Sequence, residues 1–483
     1  MDAVDQKKPH VLFIPYPAQS HIKCMLKLAR LLHHKGLHIT FINTQSNQKR
    51  LVESGGTHWL VDAPGFQFQT VPDGLPSATD DGIEHIQSAA ELWTYLGISF
   101  FDSFFDLVSR LESPATCIVC DPFITYTNMF HASEMLKIPI ILFWTMAASG
   151  FMGFYQAKVL MEKGLVPLKD ECYLTNGYLD MEIDWIPGMR GIRLKDLPEF
   201  ILVTKRDDLG LNYILDSARA ADKVSHMIIH TFDELEATLI KELKSIFPQI
   251  YTIGPLQLLL NEITDNETTK INLNSYSLWK EEPECIQWLQ SKEPNSVVYV
   301  NFGSLAVMSL QDLTELGWGL VNSNHYFLWI IRADLVDGQP AVLPQELEEV
   351  TKGKGFIASW CSQEEVLNHP SIGGFLTHAG WGSVIESLSA GVPMVCWPFS
   401  HDQRVNCRQV CNEWEVGMEI EGKVKRDKVE KLVRELMDGI ECQRMRKKAQ
   451  EWKNIADIAT SPNGSSSINI DKLVNKITVL SKK

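Results

Sequence analysis

Residues 360–403 read WCSQEEVLNHPSIGGFLTHAGWGSVIESLSAGVPMVCWPFSHDQ. Two short apolar runs, Gly373–Thr377 and Met394–Cys396, flank a segment of helical length, and that alternation marks a parallel βαβ unit. Polar and aromatic residues gather where runs end and helices begin: Trp360 and Gln363, then His378, Trp381, Ser383 and Glu386, then Asp402 and Gln403. Open parallel sheets bind ligands at the carboxyl ends of their strands. The residue types gathered there suit a nucleotide-sugar. They offer a flat aromatic face, hydrogen bonders for a ribose and a phosphate, and a carboxylate and amide for sugar hydroxyls.

The same alternation extends through the chain. Val11–Ile14, His38–Asn43, Cys117–Cys120, Ile140–Phe143, Met227–His230 and Ile250–Ile253 read as strands in the first half. Ser296–Phe302, Tyr326–Ile331 and Phe356–Ser359 join the two runs above in the second. Helical periodicity is clear in Ile22–His34, Ile86–Leu111 and Asp233–Phe247, and Lys35-Gly36 stops the first of these. From about Leu260 to Glu284 the chain turns polar and loses its period, as a linker does. The expected organisation is α/β, with two doubly wound halves. A first domain spans 1–255, a linker 256–284, a second domain 285–460 and a terminal helical segment 461–483.

A chain of 483 residues can bury two cores. Its net charge of −15 argues against nucleic acid, which needs a concentrated basic surface. The only early apolar run, Val11–Ile14, is too short for a secretory core, and no later run is long enough to span a bilayer. Ten scattered cysteines favour reduced thiols in a cytoplasmic protein. Cys117 and Cys120 form a CxxC, but Ile118 and Val119 between them make the segment read as a buried strand, and no second pair completes a zinc site.

The stretch 360–403 resembles, from first residue to last, the signature box of plant UDP-dependent glycosyltransferases. Whole-chain features, including TNGYLDMEIDWIPGM and EEPECIQWLQSKEPNSVVYVNFGS, are similar to the subgroup that includes steviol 13-hydroxyl glucosyltransferase. The resemblance implies the GT-B architecture, two facing Rossmann-like domains with a cleft between them and the final helix packing back on the first. It implies that Trp360 stacks on uracil, that Gln363 and Glu386 hold the ribose, and that His378 and Ser383 meet the diphosphate. Ser304, in Asn301-Phe302-Gly303-Ser304, resembles a second diphosphate loop. Asp402 and Gln403 would hold the sugar, with Gln403 and Trp381 favouring glucose. Cys361, Gly382 and Thr145 fall at further donor positions. The chain departs from the family at Gly382, where asparagine is usual, and at Ala379, where cysteine is usual.

In the turn after the first strand, Pro15-Tyr16-Pro17-Ala18-Gln19-Ser20 leads into His21. The family places its general base in this turn, usually after glycine; here Ser20 precedes it. Asp121, just after Cys117–Cys120, would fix the His21 tautomer and stabilise the imidazolium. The implied reaction is inverting transfer of glucose from UDP-glucose to a hydroxyl or carboxyl of a hydrophobic metabolite, a diterpenoid or other terpenoid, giving a β-glucoside. UDP-glucose is a co-substrate and no cofactor or metal is implied; no Asp-any-Asp triplet occurs. The protein is expected to act as a monomer. Trp93, Phe123, Phe151, Trp185 and Phe200 are the aromatic candidates for the acceptor pocket. The rival reading is a nucleotide-sugar sensor that keeps the fold without turnover. It needs only the donor box, and the presence of His21 and Asp121 weighs against it.

Overall fold

The computed structural model describes residues 8–55, 63–73, 100–264 and 276–482. The chain divides into two compact units: residues 1–191, 200–278 and 459–483 in the first, and residues 192–199 and 279–458 in the second.

The first unit carries a seven-stranded parallel sheet. Its strands are β1 (His10–Ile14), β2 (His38–Thr44), β3 (Phe66–Val71), β4 (Cys117–Cys120), β5 (Ile140–Trp144), β6 (Met227–Ile229) and β7 (Ile250–Thr252), in the order β3-β2-β1-β4-β5-β6-β7. Strands β1, β4 and β5 are buried along their whole length, as expected where helices cover both faces of a parallel sheet. Cys117 and Cys120 lie inside β4, and burial pushes the Cys117 thiol up to about 12, so both behave as core residues. The strand order reverses between β1 and β4. Connections on either side of such a point diverge and leave a crevice beyond the strand ends.

The second unit repeats the design with β8 (Val297–Asn301), β9 (Tyr326–Ile330), β10 (Gly355–Ala358), β11 (Ile372–Thr377), β12 (Met394–Cys396) and β13 (Gly417–Glu419), in the order β10-β9-β8-β11-β12-β13. Here the reversal falls between β8 and β11. Val298, Val300, Trp329 and Leu376 from the sheet pack with Leu313, Leu316 and Leu320 of the helix Leu310–Asn322 and with Val429 and Val433 of the helix Arg426–Asp438.

The expected linker at 256–284 is corrected at both ends. Residues Leu256–Thr264 form a helix with Leu256, Leu259 and Leu260 buried, because leucines at that spacing make one apolar stripe. Tyr276, Ser277 and Leu278 are buried in the first unit, where the Gln19 amide donates to Tyr276 O (3.0 Å) and accepts from Leu278 N (2.7 Å). Residues 265–275, and the start of the expected helix Ile86–Leu111, lie outside the described residues; 100–109 are helical. The excursion of 192–199 into the second unit was not expected. It is held there by Asp196, which lies 3.5 Å from Arg408, and by Glu199 N donating to His401 O at 3.2 Å.

The last helix, Ser465–Leu480, belongs to the first unit. Asn469 donates from one buried amide to Thr252 O (3.1 Å) and Oγ1 (2.9 Å), which docks the helix on the end of β7. Among the described residues no helix is long and apolar enough to cross a membrane.

Candidate active site

At the reversal point of the first unit, β1 ends at Ile14 and the helix Gln19–His34 begins five residues later, so His21 sits in its first turn. Strand β4 ends at Cys120, and Asp121 follows at once. His21 Nδ1 and Asp121 Oδ2 are 2.7 Å apart. The carboxylate is fully buried and its second oxygen, Oδ1, accepts from Phe123 N at 3.0 Å, so it cannot swing away. Thr145, just past β5, places Oγ1 3.0 Å from the same His21 nitrogen. With Nδ1 engaged by both, Nε2 is the nitrogen left to exchange a proton. Tyr16 and Phe123 stand edge-on to the imidazole, at centroid distances of 5.1 and 5.8 Å, and hold the ring plane. Three strand ends thus converge on one imidazole, and Thr145 stands beside His21.

In the second unit Gln363 is a hub. Its amide nitrogen donates to Glu386 Oε2 (2.8 Å) and Ser383 Oγ (3.1 Å). Its oxygen accepts from Asn301 Nδ2 at 3.0 Å, and the Tyr299 hydroxyl lies 3.4 Å away. Asn301 also accepts from Gly303 N at 2.9 Å, which ties the hub to the loop that carries Ser304. Tyr299 and Asn301 are both on β8 and were not singled out from sequence. The signal was an asparagine closing an otherwise apolar strand.

His378 follows β11 directly. Its ring lies in a slot between two glycines: a Cβ on Gly303 would come within 2.6 Å of Nε2, and one on Gly380 within 2.4 Å. Gly303 also has a left-handed backbone, φ +70°. Burial, aided by the Arg332 charge, holds His378 at about 3, so the imidazole is neutral at physiological pH. A hydrogen bond from the ring to the Asn301 backbone favours the charged form but does not overcome the burial, and it ties His378 to the end of β8. Arg332, nearly buried at the end of β9, donates to Gly303 O (2.7 Å) and Ala306 O (2.8 Å) and so shapes the Ser304 loop. A charged residue closing an apolar run was the sequence signal for it.

Other candidates are placed differently from expectation. Gln403 accepts from Phe399 N (2.7 Å) and Ser400 N (3.0 Å), so its oxygen is spent on the backbone and only the amide nitrogen is left to a sugar. Asp402, nearly buried, precedes the helix Gln403–Arg408 and makes no side-chain capping bond to it. Trp381 is 3% exposed against Trp414, so its indole packs the core. The buried Cys361 thiol faces the Tyr299 hydroxyl at 3.3 Å, which leaves the backbone as its means of meeting a ligand.

Among the acceptor candidates, Phe151 is fully buried against Trp144 and Phe247 and is a core residue. Its place in an apolar helix beside β5 is the reason. Phe123 reaches His21 but belongs to an aromatic cluster with Trp144 and Tyr213. Trp185 lies under the Lys163 ammonium (4.9 Å), and Phe200 is half-buried. Trp93 lies outside the described residues.

Known proteins resemble this chain along nearly its whole length. A family model described as UDP-glucoronosyl and UDP-glucosyl transferase matches residues 209–445. The chain is 70% identical to UDP-glycosyltransferase 85C1 of Stevia rebaudiana over 482 residues, covering 100% of this chain and 99% of that one. It is 50% identical to 7-deoxyloganetin glucosyltransferase of Catharanthus roseus over 473 residues, 97% of this chain and 96% of the relative. Among solved structures, Os79 from O. sativa in complex with UDP aligns with a TM-score of 0.80 over 97% of this chain and 100% of that chain, at 24% identity, and shows the fold to be GT-B.

Two outcomes are expected. The unfolded chain protonates His378 near 6.5 while the folded chain resists until about 3, so the folded state loses stability as pH falls through that window. His378→Gln should lose less stability than wild type across it, measured by urea midpoints; equal slopes would refute the assignment. A Cβ on Gly382 meets nothing within 4 Å, so Gly382→Asn should fold normally. It should tighten UDP binding about 5-fold, as one added hydrogen bond would. Calorimetric titration showing weaker binding would contradict the expectation that Gly382 is a donor position.

Proposed function

The chain belongs to the plant UDP-glycosyltransferases, and on that premise we propose that it transfers glucose from UDP-glucose to a hydroxyl or carboxyl of a small hydrophobic plant metabolite, a diterpenoid or another terpenoid. The product is a β-glucoside, and the reaction runs without a metal, by a monomer in the cytoplasm. The observation that carries this reading is the 2.7 Å bond from His21 Nδ1 to the buried Asp121, with Nε2 left for the acceptor.

In the proposed reaction the acceptor oxygen attacks the anomeric carbon of the donor as its proton passes to His21 Nε2. The bond from that carbon to the β-phosphate oxygen breaks, and UDP leaves with the electron pair. One displacement inverts the α-linked donor to a β-glucoside. Asp121 stabilises the imidazolium as it forms and keeps Nε2 aimed at the acceptor. Glu386 and Trp360 would hold the uridine, with Gln363 orienting the Glu386 carboxylate toward the ribose. Ser304, Ser383 and the neutral His378 would hold the diphosphate, and Asp402 and the Gln403 amide nitrogen the glucose hydroxyls. A terpenoid acceptor is supported by similarity, along nearly the full chain, to a relative named for 7-deoxyloganetin.

The test is incubation of the purified protein with UDP-glucose, a chelator and a panel of diterpenoid, iridoid and phenolic alcohols, read by mass. A product heavier by one hexosyl unit is expected on a terpenoid. Transfer to the phenolics alone would overturn the acceptor class, and UDP-glucose binding without transfer to any acceptor would favour a sensor. His21→Ala should lower kcat by about 100-fold or more while leaving UDP affinity within about 2-fold. Unchanged turnover would end its assignment as general base.

A further inference from the structure

We propose that Trp279 is a positioning residue for the nucleotide: its indole backs Trp360, so that the base of the donor stacks on a pair of indoles. The inference rests on the assignment of Trp360 to uracil given above.

Trp279 and Trp360 stack with ring centroids 4.5 Å apart and planes inclined by 27°. An indole has two faces, and Trp279 covers one of those of Trp360. Trp360 is nevertheless only half-buried, so the pair is not closed off from solvent. A lone surface indole at a strand end would rotate between staggered positions and present its face to a ligand only part of the time. A second ring against its back removes that freedom before the ligand arrives.

The segment carrying Trp279 is itself tied down beside the platform. Glu282 Oε1 accepts from both the backbone N–H (2.7 Å) and the hydroxyl of Ser359, the residue before Trp360. Glu282 N donates to Trp360 O at 3.0 Å. These bonds straddle the Ser359–Trp360 peptide, so both the backbone and the ring of Trp360 are gripped by one short stretch, Trp279–Glu282. An anchored Trp279 is part of the platform and not a plug occupying the place of the base.

The experiment is a double-mutant cycle on the full chain, with UDP affinity measured by calorimetry and KM for UDP-glucose separated from kcat. Trp279→Ala should raise the UDP Kd and the UDP-glucose KM by about 3- to 10-fold, the range of an aromatic pair, with kcat and acceptor KM little changed. Trp279→Phe should recover most of the loss. Glu282→Ala, which removes the anchor and keeps the indole, should weaken UDP in the same direction. In the background of Trp360→Ala, adding Trp279→Ala should cost nothing further, because Trp279 acts through Trp360. Tighter UDP binding in Trp279→Ala would show that the indole competes with the base. A loss confined to kcat, or full additivity with Trp360→Ala, would equally overturn the proposal. If Trp360→Ala alone left UDP affinity unchanged, the assignment of Trp360 would fail first, and the two failures are distinguishable.

Discussion

A strand paired on both sides and buried on both faces can offer functional side chains only where it ends. That constraint organises both units. Strands β1, β4 and β11 are buried throughout, so the polar residues that follow them, His21, Asp121 and His378, are displaced to the turns beyond the sheet. Strand order then decides which turns meet. β1 pairs with β4 in register Ile14 to Cys120, so the next few residues of each chain segment emerge side by side. His21 and Asp121 are 100 residues apart in sequence and 2.7 Å apart in space for that reason.

The donor box shows a second constraint, the need to hold polar groups in place before any ligand arrives. Both ends of the Gln363 amide are engaged, by Glu386 and Ser383 on one side and Asn301 on the other. Two non-glycine residues in left-handed backbone, Ala379 (φ +61°) and His401 (φ +60°), sit directly beside His378 and Asp402. Each costs on the order of 1–3 kcal/mol, and such strain persists only where surroundings over-determine it. Asn406 donating to Ala379 O at 3.0 Å and Ser400 Oγ 2.6 Å from His401 Nδ1 are part of those surroundings.

Much of this was legible in the sequence, and the boundary of legibility is physical. Strands of a parallel sheet are short apolar runs, so their places could be read directly, as could the polar residues that close them. What could not be read was the direction of each side chain. Trp381 and Phe151 have the composition of pocket residues and the environment of core residues, and only packing separates the two. Gln403 has a donor and an acceptor in sequence, but the turn before it consumes the acceptor. Leu256–Thr264 reads as part of a linker because polar residues follow it, although its own leucines carry a helical period. Trp279 lay in that same polar stretch, where a single aromatic carries no pattern of its own.

The electrostatics of the proposed diphosphate site bear on how transfer is favoured. The chain carries a net charge of −15, yet Arg332, beside His378, is committed to Gly303 O, Ala306 O and Asp334. His378 is neutral. The proposed diphosphate ligands are therefore dipoles: two hydroxyls, an imidazole and the amides of helix starts. A fixed cation would bind the donor strongly in its ground state, where the diphosphate is already charged, and such uniform binding lowers KM without raising kcat. Dipoles aimed at the bridging oxygen gain most when the bond to the sugar breaks and charge collects there. His378 would respond in the same direction, since a growing anion beside it makes its charged form less costly. A buried neutral imidazole in the proposed place would thus be better matched to the departing UDP than to the intact donor, and the slot between Gly303 and Gly380 is what keeps it buried.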